Sequence, residues 1–291
     1  MPSFSDGTPT SIDRLETSDA VAGPMDLAMQ RERSKETPRD YLGGSRLGHA
    51  THVNPYARGC ERALFYEYGH CKKDPGREFD ANILRVFDMG HDAEDRLAEY
   101  FRFAGFDLRT EKAKGGQFGF QTAPDPDDKN HYRIRGHIDG VFLGGPETLG
   151  ELFLVYPFLW ETKGMKENQF NKFKNKGVEL SHPVYFGQLQ IYMAYMKLHE
   201  HPALFTAINR NTGEIGYELV PFDEKCAQAA SDRGLRVVSA RAATELPRIS
   251  SDKTAFACRF CDYKETCWSE TEPAQVSDPR ETNLPVWVAS R

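Results

Sequence analysis

The chain has 291 residues, 39% of them hydrophobic and 12% aromatic, and a formal net charge of −6. This is enough apolar material for one large or two modest domains, and no apolar run reaches the ~18 residues of a membrane span. The start, "MPSFSDGTPTSIDRLETSDA", lacks the basic-then-apolar order of a secretory leader, so the expected setting is cytoplasmic (a host's, if the protein is viral) with no membrane partner.

Residues 1–44 hold eight acids against five bases and read as a flexible polar arm, with a short helix near "PMDLAMQRERSKE". A single domain is expected over 45–270, and 271–291 form an acidic tail. Within the domain, "CERALFYEYG" predicts a short helix and "ANILRVFDMGHDAEDRLAEYFRFAG" a longer one closed by Gly105. "FDLRTEKAKGG" and "GQFGFQT" read as strands before the turn-rich "APDPDDKN". "YRIRGHIDGVFLGG" and "ELFLVYPFLWETKG" read as two further strands joined through a Gly-Pro turn. A helix over part of 166–176 is followed by another in "PVYFGQLQIYMAYMKLHE", with Pro183 in its first turn. "ALFTAINRNTGEIGYELVPF" predicts a hairpin around Asn211-Thr212-Gly213, and 223–244 a last helix. The order gives an α/β (α+β) class with a cysteine-rich end.

Alternation on a strand puts Glu161 and Lys163 of "FLWETKGM" on one face and Trp160 and Thr162 on the other. Burying charge in such an apolar run is costly unless it is paired or metal-bound. Asp139, in "GHIDGVF", adds a carboxylate on the preceding strand, and His137, two residues before it on the same strand face, is a competing ligand. Two carboxylates and a lysine suit either a cross-strand ion pair or a hydrolytic site holding Mg²⁺ or Mn²⁺. Gln188 and Tyr192, four apart, share one helical face, and His91 near a helix start is a candidate ligand with Asp95 one turn on.

The segment "KGMKENQFNKFKNK" carries Lys163, Lys166, Lys172, Lys174 and Lys176 against the single acid Glu167. It reads as a solvated helix face or, with Phe170, Phe173 and Tyr185, as a channel for a single nucleic-acid strand. Cys258, Cys261 and Cys267 follow a C-x2-C-x5-C spacing, which in a reducing compartment favours a metal over disulfides. Cys60 is the best fourth ligand, and Zn²⁺ and an iron–sulfur cluster both fit four thiolates. Cys71 and Cys226 read as ordinary buried thiols. No G-x-x-x-x-G-K-[ST] occurs, so no P-loop motor is expected.

Taken in order, His91, "GHIDG" with Asp139, "ETK" with Glu161 and Lys163, "QLQIY" with Gln188 and Tyr192, and the four cysteines resemble the RecB-like branch of the PD-(D/E)XK nucleases. More narrowly, the set is similar to the iron–sulfur exonucleases of the CRISPR-associated Cas-four type and their phage relatives. The resemblance implies a mixed central sheet flanked by helices. It also implies a catalytic metal held by His91, Asp139, Glu161 and the Thr162 carbonyl, with Lys163 positioning the attacking water and Gln188 and Tyr192 supporting phosphate or lysine. Cys60, Cys258, Cys261 and Cys267 would hold a [4Fe-4S] cluster pinning two chain ends that otherwise share few contacts. The implied activity is exonuclease action on single-stranded or frayed DNA, alone or beside a helicase, recombinase or adaptation complex. The rival readings are a catalytically silent nucleic-acid-binding module with structural zinc or iron–sulfur, and a CRISPR-adaptation trimming subunit.

Overall fold

In a computed structural model, the structure describes residues 11–36, 39, 41–48, 60–77, 79–122, 134–146 and 155–270. The expected tail at 271–291 and the turn "APDPDDKN" lie outside the described residues. The fold is mixed α/β, with two sheets where the sequence suggests one. Strands β2 (Asp107–Arg109), β5 (Gly140–Gly144), β6 (Phe158–Met165), β7 (Ala203–Asn209) and β8 (Ile215–Val220) form a five-stranded sheet in the order β2-β5-β6-β7-β8. Neighbours run antiparallel except β6 and β7, which are parallel. A parallel pair needs a long crossover, and helices α5 (Glu167–Ser181) and α6 (Pro183–Met196) provide it. Strands β1 (Leu42–Gly43), β4 (Ile134–His137) and β3 (Gly119–Gln121) make a smaller sheet in the order β1-β4-β3.

The alternation expected along β6 is present. Phe158 and Trp160 pack with Leu97, Ala98, Leu108 and Phe142 beneath helix α4 (Ala81–Phe103). Leu159 and Met165 face the larger core with Phe170, Phe173, Leu189 and Phe205. Phe170 and Phe173 are therefore core residues, 0% and 3% exposed, and not the strand-channel aromatics of the sequence reading. Their rings fill the space over β8, where a methyl at Gly216 would sit 2.8 Å from Phe173. Helix α2 (Gly44–Leu47) meets α6 at two glycines, since a methyl at Gly187 would lie 2.5 Å from the Gly48 carbonyl oxygen.

Two elements differ from expectation. The arm at 1–44 holds the 24-residue helix α1 (Ser11–Ser34), docked on α4 by Arg85, which pairs with Asp26 at 2.6 Å and reaches the Met29 sulfur at 3.5 Å. Its local sequence is polar and interrupted by Pro24, so tertiary contact rather than amphipathicity carries it. Leu42 and Leu47, both buried, already belong to the core, so the folded part begins before residue 45. Also, "YRIRGHIDGVFLGG" is not one strand: it leaves the small sheet after His137 and joins the large sheet at Gly140. No described helix is long and apolar enough to cross a membrane.

Candidate active site and thiol cavity

The strand change at Ile138–Asp139 places a carboxylate outside any ladder. Asp139 Oδ2 accepts a 2.8 Å bond from the Thr162 amide of β6, tying the crossing point to the strand that carries Glu161 and Lys163. Lys163 Nζ donates to Glu161 Oε1 and, at 3.0 Å, to the Thr162 carbonyl, and lies 4.0 Å from Asp139 Oδ2. Gln188 of α6 donates to Glu161 Oε1 at 2.6 Å. Glu161 is 1% exposed, and its Oε2 meets no hydrogen-bond donor among the described residues. Tyr185 places its ring 5.6 Å from the Lys163 ammonium, and buried Tyr192 is pushed up in pKa by burial and by Glu161. The structure thus brings together Asp139, Glu161, Lys163, Gln188, Tyr185 and Tyr192.

One residue that the sequence reading passes over joins them. Glu94, on α4, is pushed up to about 8 by burial and by the Asp139 charge, against the opposing pull of Lys163. Glu161 is likewise raised to about 8 by burial, Asp139 and, more weakly, Glu94. Burial also raises Asp139, opposed by Lys163, the Thr162 amide and His91. Burial would lower the Lys163 pKa, but Glu161 and Asp139 outweigh it and hold the ammonium charged. Three carboxyls therefore crowd one lysine, and their ionised forms, disfavoured by burial and by one another, are what a divalent cation would stabilise. The phase of α4 is the missed signal: Glu94 sits three residues before buried Leu97, whereas His91 lies exposed and only its charge reaches Asp139.

Other candidates fall elsewhere. His137 does not share a face with Asp139, because alternation ends where the chain changes sheets. Burial and the charges of Arg135, Lys112 and Arg39 lower its pKa. Lys166, Lys172, Lys174 and Lys176 are exposed on and beside α5, and Lys174 pairs with Glu214 at 2.6 Å.

Cys60, Cys258, Cys261 and Cys267 line one small cavity with Tyr66, Arg248 and Trp268. All four are free thiols. Two backbone N–H groups mark the turn: Cys261 donates to the Cys258 carbonyl at 3.2 Å, and Tyr263 to the Cys261 sulfur at 3.4 Å. Burial pushes the Cys261 thiol up to about 11, and the other three cysteines add to it. The four converge on a cavity, yet among the described residues no three Cys, His, Asp or Glu side chains are drawn into a metal-holding group, here or at the carboxyl site. Cys226 is buried as expected, while Cys71 is exposed, contrary to expectation.

The chain ends also share far more than the sequence suggests. Asp74, just beyond α3 (Glu61–Tyr68), accepts from the Glu265 and Thr266 amides and the Thr266 hydroxyl of α9 (Lys264–Ser269) at 2.6, 3.2 and 2.8 Å. Its own amide donates to the Asp262 carbonyl, and Arg77 donates to the Arg259 carbonyl at 2.9 Å. Arg62, fully buried, donates to the Leu246 carbonyl at 2.8 Å. Arg248 donates to the Cys267 and Glu270 carbonyls, each at 2.8 Å, and covers the Trp268 ring. These side-chain-to-backbone bonds tie the two parts together beside the thiol cavity.

No known family model matches the chain, and no curated protein matches it. Among solved structures it is similar to one described as "Crystal structure of SSO0001", at 14% identity and a TM-score of 0.44, over 85% of this chain and 96% of that one. Nothing about this chain's activity follows from a likeness at that level.

Proposed function

We propose that the chain is a divalent-metal-dependent DNA exonuclease of the PD-(D/E)XK type, acting on single-stranded or frayed ends. The observation that carries this reading is the partnerless, buried Glu161 Oε2 beside Asp139, Glu94 and one charged lysine. A buried, unsatisfied carboxylate oxygen costs about 1–3 kcal/mol, and here it is the atom left over once Lys163 and Gln188 have taken Oε1. Asp139, Glu161 and Glu94 offer hard oxygen donors suited to Mg²⁺ or Mn²⁺. Such a cation supplies Lewis-acid polarisation of a phosphodiester and lowers the pKa of water.

The protein's own groups set the rest. The Thr162 amide fixes Asp139, and Gln188 fixes the rotamer of Glu161. Lys163 presents an ammonium that holds water or stabilises charge developing on phosphate. Tyr192 stays protonated beside Glu161 and is thus a donor for a phosphate oxygen. The exposed lysines of α5 supply sequence-independent attraction to a phosphate backbone. Four free cysteines on one cavity suit a [4Fe-4S] cluster or, alternatively, Zn²⁺.

End-labelled single- and double-stranded DNA, incubated with anaerobically purified protein and Mg²⁺ or Mn²⁺, tests the activity. The wild type should shorten labelled strands and Lys163→Ala should not. Equal inertness of both with either metal would leave a silent binding module as the better reading.

A further inference from the structure

Arg233, on helix α7 (Glu224–Ser239), is 2% exposed, and all three of its guanidinium nitrogens lack a hydrogen-bond partner among the described residues. Arg62, two residues from Cys60, is wholly buried; its Nη1 lies 3.9 Å from the Cys267 sulfur and its Nη2 has no partner among those residues. Buried charge without a counter-charge costs several kcal/mol. The neighbouring carboxylates do not supply one. Glu61 is held by both Arg236 nitrogens, at 2.7 and 3.2 Å, and Glu67 by Arg46 at 2.7 Å. Burial weighs most on Arg233, and the groups whose charge would offset it are Glu61, already held by Arg236, and the Cys60 sulfur.

We infer that Arg62 and Arg233 are the fixed counter-charges of an anionic thiolate centre on Cys60, Cys258, Cys261 and Cys267. The inference rests on the thiolate-centre part of the reading above and not on the nuclease part. Four thiolates around a doubly positive core, whether Zn²⁺ or an oxidised [4Fe-4S] unit, leave a doubly negative group. Two surplus buried guanidinium groups match it in number and sign. Arg248, also on the cavity, is tethered to carbonyls and stacked on Trp268, so it braces the wall. Arg62 and Arg233 are positioning residues: their charge offsets that of the loaded centre, which in turn relieves their own burial.

The roles predict effects of opposite sign in the two states of the full chain. Arg233→Met keeps the apolar stem and removes the charge. It should raise the unfolding midpoint of the metal-free protein and yet make the loaded protein lose iron or zinc to a chelator about tenfold faster. Arg233→Lys should restore retention in part. Unchanged retention, or midpoint shifts of the same sign with and without metal, would overturn the inference while leaving the centre in place. A wild type that takes up neither iron nor zinc, even after reconstitution, would remove the centre itself and the inference with it.

Discussion

The carboxyl site and the thiol cavity are assembled by opposite means. Glu161 and Lys163 come from one strand whose register sets Glu161 opposite Phe205 and Lys163 opposite Ala207 across the parallel pair, and Asp139, just before β5, is tied to that strand by the Thr162 amide. The cysteines come from segments about two hundred positions apart, joined by side chains that grip backbone, such as Asp74 on α9 and Arg62 on Leu246. Their electrostatics are opposed as well. The first site has more acid than base, and the second has buried guanidinium nitrogens without hydrogen-bond partners among the described residues. A site with surplus acid suits a bare cation, whereas one with surplus base suits a cation already wrapped in thiolates. The two metals of the proposed reading would therefore meet opposite fixed charge at the two pockets.

The contrast is sharpest at helix α4. Glu94→Gln is expected to lower the rate of DNA hydrolysis ~10²-fold or more, the scale of a lost acid–base or ligand group. His91→Gln, at an exposed position, should stay within about threefold. Rates measured at saturating metal decide it, and the reverse order would return the helix's contribution to His91.

Next in size, Cys258→Ser should strip most metal from the cavity and lower stability by several kcal/mol, since binding energy there is folding energy. Cys71→Ser should change neither metal content nor unfolding midpoint, its thiol being exposed. Loss of metal from both variants would mean that the cavity does not define the centre.

The smallest effect concerns the tether. Asp74→Ala removes three accepted hydrogen bonds and should cost about 1–3 kcal/mol. Burial opposes ionisation of Asp74, but the Glu265 and Thr266 donors prevail and hold its pKa below the usual value of 3.8. A depressed carboxyl contributes stability fully above its unfolded pKa and loses it as pH falls through its folded one. The midpoint gap between wild type and Asp74→Ala should therefore be constant from pH 7 to about 5 and narrow below about 4. A gap that widens on acidification would show that Asp74 does not act as a carboxylate.

How much of this was legible follows the range of the forces. Helix α4, strand β6, the β7–β8 hairpin and α7 are set by local periodicity and turn chemistry, and all appear close to where the sequence puts them. Hydrogen bonds bring Asp139, Glu161, Lys163 and Gln188 together; Asp139 and Gln188 were joined to the other two through the family resemblance, and Glu161 and Lys163 were legible on one face from strand alternation. The sheet change at Asp139 was not, since its stretch has the alternation of one strand, and only the Thr162 amide reveals where the ladder stops. Glu94 was hidden behind a more conspicuous histidine. Helix α1 depends on a docking partner, and the grips of Asp74 and Arg62 depend on residues far along the chain.

Strand β6 has neighbours on both sides, β5 against residues 158–160 and β7 against 160–165. An edge element or a docked helix such as α1 can fray while the remainder stays folded, but an interior strand opens only with its sheet. Glu161 and Lys163, however, lie beyond the β5 ladder, which ends at Trp160, so their spacing is held by the β7 ladder on one side. Opening of the β6–β7 ladder is therefore expected to remove this spacing even where the β5–β6 ladder holds.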